Sequence, residues 1–348
     1  MNTRKLGSTD VEVTELGFGA AQIGNLYAPV DDETAAAAVD AAWQEGVRYF
    51  DTAPHYGLGL SERRLGAALG RHPRDEFVVS TKVGRLLVEN LAPTGSDLDV
   101  AGFAVPDDLT RQLDYSGDGV RRSLEASLTR LGLDRVDIVY VHDPDAHLDQ
   151  AIRESIPALC QLRDEGVVGA VGAGMNYWQP LLRIVQEADA DVVMLAGRWT
   201  LLDRSGEPLL EECERRNVSV VAAAPFNSGI LARPWPADGA MWNYEPAPED
   251  VLAKARALAA ACQEHGNTLP QAAVCFPLRH PAVASVVAGM RTAAQARTSA
   301  AYLGAGVSED AWAALEAAST ASGPRRGSSE ERPVSAPATG LDRNGHRS

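Results

Sequence analysis

The sequence predicts an α/β fold, a (β/α)8 (TIM) barrel, on three observations. Eight short apolar runs alternate with helix-like patterns along the chain. The runs lack the polar–apolar alternation of half-exposed strands, as expected of parallel strands buried on both faces. A repeated unit links the two kinds of segment: a helical pattern, a glycine, a few polar residues, then the next apolar run. Such alternation suits either a closed barrel or an open doubly wound sheet, and eight units favour the barrel.

Arg4–Leu6 and Val11–Val13, joined by Gly7–Asp10, read as a small hairpin ahead of the first barrel strand. Barrel strands are expected at Thr14–Phe18, Arg48–Phe50, Phe77–Thr81, Val136–Val141, Val167–Val171, Val192–Ala196, Val218–Ala224 and Ala284–Gly289. Helical patterns at Ala35–Glu45, Val120–Leu131 and Ala151–Glu165 are each followed by a glycine, which supplies the left-handed turn that ends a helix. Val120, Leu124, Leu128 and Leu131 form a single apolar stripe.

Two connections are long. Gly84–Gly117 is rich in Pro, Gly and Asp, and Phe226–Pro248 carries Trp235, Trp242 and Tyr244. Both read as functional loops, the second with the aromatic content of a substrate wall. Residues 1–321 are expected to form one domain. Ser322–Ser348 shifts to Gly, Ser, Pro and Arg and reads as a disordered tail.

The 348 residues are 45% hydrophobic and 23% charged, enough for a substantial core in a soluble enzyme. A net charge of −15 without any Lys/Arg-rich run argues against nucleic acid as the main partner. Four scattered cysteines with no C-x-x-C pair point away from a disulfide framework and towards a reducing compartment. Neither a secretion signal nor an 18-residue apolar stretch occurs, so a cytoplasmic protein without a membrane partner is expected. Oligomeric state has no signature here.

The chemistry lies at strand ends. Asp51 ends one predicted strand, Lys82 follows another and His142 ends a third, on the face where barrel active sites are built. Tyr56 lies in the loop just beyond Asp51. Tyrosine is a poor acid or base at neutral pH, but a nearby ammonium stabilises its phenolate and lowers its pKa. An aspartate keeps that lysine charged and oriented, and a histidine can fix a substrate oxygen. The set suits proton transfer coupled to hydride transfer, with no metal required. The histidine spacing in VHDPDAH (His142, Asp143, Asp145, His147) matches no helical or strand pairing of metal ligands.

FDTAPHYGLGLSERRLGAAL, STKVG, RLGLDRVDIVYVHDPD and VGAGMNYW together resemble the aldo-keto reductase family, from about Arg4 to about Leu303. The resemblance implies a (β/α)8 barrel, NADPH or NADH, and a catalytic tetrad at Asp51, Tyr56, Lys82 and His142. DTAPHYGLGLSE, the loop near Tyr115–Asp118, VHDPD and AGRWTLLDR are similar to the aldose dehydrogenase branch, which acts on L-fucose or D-threo-aldoses and includes pyridoxal dehydrogenases. The reaction implied oxidises C1 of a sugar hemiacetal to a lactone, with Tyr56 as base. A sugar or aldehyde is therefore the expected small-molecule partner. A general aldehyde or ketone reductase, and a non-catalytic nucleotide sensor, are the alternatives.

The resemblance also implies cofactor contacts. Asn176 stands where the family holds the nicotinamide carboxamide, while Met175 and Ala196 replace its usual Ser and Gln. Ala223 stands where a tyrosine often stacks on the ring, leaving Trp199 or Phe226 as substitutes. Pro225, Phe226, Asn227 and Gly229 match the pyrophosphate loop, where close backbone approach favours small residues. Near Gly289 the family grips the 2′-phosphate of NADPH with Lys and Arg; this chain keeps Arg291 and has Gln295 instead of a second arginine. One guanidinium rather than a pair tips the expectation slightly to NAD, with NADP left open.

Overall fold

The structure is a computed structural model and describes residues 1–321; the tail expected at Ser322–Ser348 lies outside the described residues. Strands β1 (Thr3–Lys5) and β2 (Glu12–Thr14) pair antiparallel as the leading hairpin. Barrel strands β3 (Leu16–Gly19), β4 (Tyr49–Asp51) and β5 (Val78–Val83) follow. After a second hairpin, β6 (Arg85–Glu89) and β7 (Leu109–Leu113), come β8 (Ile138–His142), β9 (Ala170–Met175), β10 (Val192–Ala196) and β11 (Ser219–Ala223). A short hairpin of β12 (Met241–Trp242) and β13 (Glu245–Pro246) precedes β14 (Val283–Gly289).

The eight parallel strands close in the order β3-β4-β5-β8-β9-β10-β11-β14 and back to β3, each predicted run contributing one of them. Side chains alternate between two cores, as the period of a strand requires. Tyr49, Ile138, Tyr140, Val192, Met194 and Val221 fill the interior together with Leu6 and Val13 of the leading hairpin. Val79, Val139, Val171, Leu195 and Val220 face outwards into the larger core under the helices. Because Tyr49, Ser80 and Tyr140 share the interior with the next inward positions, Asp51, Lys82 and His142 form the layer above them.

Some boundaries shift for local reasons. The strand expected at Val167 starts at Ala170, because the amides of Val167 and Val168 both donate to Leu162 O and complete the preceding helix end. The helix expected over Ala151–Glu165 opens as a wide turn, Ala151–Ser155, and becomes α-helical at Ile156–Asp164, where Pro157 can offer no amide to the earlier turn. Gly84–Gly117 is not an open loop: it holds the β6–β7 hairpin, paired from Arg85↔Leu113 to Glu89↔Leu109. The long excursion between those strands removes the tight-turn signature by which a hairpin is read. All four cysteines are free thiols. Among the described residues, no helix is long and apolar enough to cross a membrane.

Candidate active site

A polar ladder climbs the barrel interior to the mouth. Tyr49 OH lies 3.2 Å from Tyr140 OH and 3.1 Å from Ser80 Oγ. Ser80 donates to Asp51 Oδ1 at 2.7 Å. Lys82 donates to Asp51 Oδ1 and Oδ2 at 2.8 and 2.7 Å and to Thr52 O at 3.0 Å. The carboxylate and the Thr52 carbonyl thus anchor the ammonium. Burial works against the lysine's charge, but Asp51 and Tyr56 outweigh it and hold its pKa above the ordinary value.

The Lys82 ammonium sits 4.8 Å from the centre of the Tyr56 ring. Burial raises the Tyr56 pKa, Lys82 lowers it and Asp51 raises it, and the net direction is upward. The lysine's pull is present as expected, but burial is larger. Tyr56 reaches this position because its loop is pinned: Ser61 N donates to Tyr56 O at 3.2 Å, and Ser61 Oγ donates to Ala20 O at 2.8 Å. Gly57 follows with φ +63, and a Cβ there would lie 2.2 Å from Gly24 O, so only glycine fits.

His142 lies across the mouth, its ring 5.9 Å from that of Tyr56. Burial, then Arg85, Lys82, His55 and Arg111, push its pKa well below the ordinary value, so it is a neutral imidazole. Its Nδ1 is buried with no hydrogen-bond partner among the described residues. Tyr115 OH donates to the carbonyls of His142 and Asp143 at 2.8 and 2.9 Å and fixes the strand end. Thus the four residues singled out from the sequence do come together, on β4, β5, β8 and the loop after β4.

Several neighbours were not anticipated. The β6–β7 hairpin brings Arg85 and Arg111 to the same side. Arg85 pairs with Asp143 at 2.8 Å; Arg111 pairs with both oxygens of Asp97 at 2.6 and 2.7 Å and donates to His55 O. His55 packs edge-on to His142 and to Phe103, at 5.5 and 5.4 Å. The available signal was Arg85 directly after STKVG, at another strand end; for Arg111 and Phe103, inside a segment read as a loop, none existed.

The candidate cofactor residues occupy the other half of the rim. Asn176 directly follows β9, while Met175 points into the helix-side core. Ala196 and Ala223 end β10 and β11, half-buried. Beyond β11, Ala224, Asn227 and Ser228 are all in the left-handed region (φ 54, 45 and 59), a concentration of strain typical of a functional loop. Pro225 is buried, Phe226 half-buried and Gly229 exposed. Asn227 donates from Nδ2 to Gly197 O at 3.0 Å, yet its buried Oδ1 has no partner among the described residues. Gly289 ends β14. Arg291 donates to Gln22 Oε1 at 2.8 Å, and its amide donates to Gln295 Oε1 at 2.7 Å.

Trp199 requires a correction. Its indole N–H donates to Pro277 O at 3.3 Å, and its ring packs on Phe276 and His280 in the helix layer. That removes it from the stacking role.

The pattern of the Aldo/keto reductase family matches residues 15–320. The chain is 46% identical over 307 residues to a D-threo-aldose 1-dehydrogenase from Pseudomonas sp, covering 87% of this chain and 93% of that one. It is 38% identical over 330 residues to a pyridoxal 4-dehydrogenase from Microbacterium luteolum, covering 90% and 96%. Among solved structures, an aldo-keto reductase from Bacillus halodurans in its holo form superposes with a TM-score of 0.72 at 25% identity, covering 91% of this chain and 96% of that one.

Proposed function

The chain belongs to the aldo/keto reductase family and is an oxidoreductase of CH–OH groups, and we propose that it oxidises C1 of an aldose hemiacetal to a lactone. Tyr56 is the acid–base, and a nicotinamide nucleotide is the cofactor. The observation that carries this reading is the Lys82 ammonium, anchored by Asp51 and facing the Tyr56 ring.

The rim fits such a cofactor. Small Ala196 and Ala223 leave flat strand ends, and the orphaned Asn227 Oδ1 offers a buried acceptor beside the strained Ala224–Ser228 turn. Asn176, Pro225, Phe226, Asn227 and Gly229 would hold the dinucleotide, with Gly289, Arg291 and Gln295 nearer its adenosine end. Arg291 is already engaged by Gln22, which weakens the case for a 2′-phosphate grip and favours NAD. When bound, the oxidised nicotinamide supplies the hydride acceptor.

Tyr56 takes the proton of the anomeric hydroxyl as the C1–H bond breaks, so the O1 lone pair forms the lactone carbonyl. Lys82 stabilises the phenolate form of Tyr56 that accepts this proton, and Asp51 keeps the ammonium in place. Neutral His142 is the partner of the sugar oxygen, fixing its approach to Tyr56. The upward shift of Tyr56 favours the phenol, the form that donates a proton, and this supports carbonyl reduction as the second reading of the same site. The free thiols suit a reducing compartment. Absorbance at 340 nm with a panel of aldoses, pyridoxal and simple aldehydes, using both nucleotides, tests the reading. Aldose-dependent NADH formation is expected; binding of nucleotide without turnover of any substrate would contradict it.

A further inference from the structure

The wall beside the catalytic four holds an ion pair that the proposed reaction does not use. Arg85 Nη2 donates to Asp143 Oδ2 at 2.8 Å, and Arg85 Nη1 lies 3.4 Å from His55 Nδ1. The same Asp143 oxygen is 3.6 Å from His142 Nε2. The two side chains stay 19% and 22% exposed, so the pair borders the mouth rather than the core.

Polar valences remain open on these side chains. Among the described residues, Arg85 Nε and His142 Nδ1 are buried without a partner and Asp143 Oδ1 takes no hydrogen bond. Buried polar atoms left unpaired are costly, and those in a native site are commonly completed by a ligand or water. Charge narrows the ligand class. Arg85 is balanced by Asp143 and Arg111 by Asp97, so the wall offers no surplus cation to a carboxylate or phosphate. What it offers is a donor fork next to an acceptor. A hydroxyl both donates and accepts, and two adjacent hydroxyls complement such a pair.

We propose that Arg85 and Asp143 recognise two neighbouring ring hydroxyls of the sugar and thereby determine the substrate specificity of this site. The inference rests on the aldose reading above, and its ligand class is a neutral polyol. The backbone supports it: Asp143, at φ 41, is held by its amide on Gly174 O at 3.1 Å and by Tyr115 OH on its own carbonyl. The carboxylate is therefore fixed before any ligand arrives, as a recognition group should be.

The test compares kcat/KM for the best aldose with its 2-deoxy and 3-deoxy counterparts. Wild-type protein should discriminate against at least one of them by about 10- to 100-fold, the worth of hydrogen bonds to charged groups. In Asp143→Asn and in Arg85→Gln that ratio should fall towards one, with nucleotide binding, read by fluorescence titration, reporting that the variants fold. Equal use of both deoxy sugars by the wild type overturns the proposal without any variant. So does an unchanged ratio in the variants, or a preference for uronic acids or sugar phosphates. If the wild type turns over simple aldehydes or alcohols but no aldose, the underlying reading fails first and this proposal falls with it.

Discussion

Lys82 and Asp51 form a two-pronged ion pair, with Nζ 2.8 and 2.7 Å from the carboxylate oxygens and side chains 2% and 4% exposed. A pair so deeply buried is a poor source of stability, because desolvating two charges offsets most of their attraction. Its value lies in keeping one ammonium beside Tyr56.

Breaking the pair from one side should therefore be far worse than removing it whole. Lys82→Met leaves Asp51 buried and alone, which should cost about 3–5 kcal/mol. The double variant Lys82→Met/Asp51→Asn should recover much of that stability while remaining inactive. Urea denaturation of the two proteins, alongside turnover, checks this. A double variant no more stable than the single one would contradict it.

The acid side of the pH profile should report Asp143. Burial, held back by Arg85 and Lys82 and reinforced by Asp145, pushes its carboxyl up to about 6. His142 and His55, which pack nearby, are kept neutral well below the ordinary histidine value, and burial pushes the Tyr115 phenol up to about 12. Below about pH 6 Asp143 gains a proton and loses the charge that binds Arg85 and sugar hydroxyls. Aldose kcat/KM should thus fall with pH through that point, and Asp143→Asn should abolish the inflection. An inflection unchanged in that variant would assign it to another group.

Gly57→Ala should damage the site through the backbone. A left-handed alanine costs about 1–2 kcal/mol, and the new methyl would press on Gly24 O. Since this turn carries Tyr56, turnover should drop more than melting temperature. Full activity would show that the loop tolerates a shift.

Much of this was legible in the sequence because it is local. Val192–Ala196 was read to the residue, and all eight runs became barrel strands, since burial on both faces leaves an uninterrupted apolar signature. Asp51 and His142 were visible because each interrupts such a run at its carboxyl end. The Arg85–Asp143 pair was not, because it joins β6 to the end of β8 through tertiary packing. Trp199 misled for the converse reason: its position along the chain suggested the mouth, but a partner at Pro277 drew the ring into the helix layer.

Nucleotide choice should follow Arg291. With its guanidinium on Gln22 and with Gln295 where a second arginine would sit, NAD should bind at least as tightly as NADP. Gln295→Arg should improve NADP affinity by about tenfold, the worth of one charge-assisted hydrogen bond. Fluorescence titration with both nucleotides measures it, and a wild-type preference for NADP would contradict the assignment.

The central claim is that Tyr56 moves the proton. The direct measurement is Tyr56→Phe, assayed for nucleotide affinity and for aldose turnover at saturating substrate. Nucleotide Kd should stay within about twofold, while kcat falls by about 10²- to 10⁴-fold, as for loss of a positioned acid–base. A phenylalanine variant that binds nucleotide and retains comparable turnover would place the chemistry elsewhere.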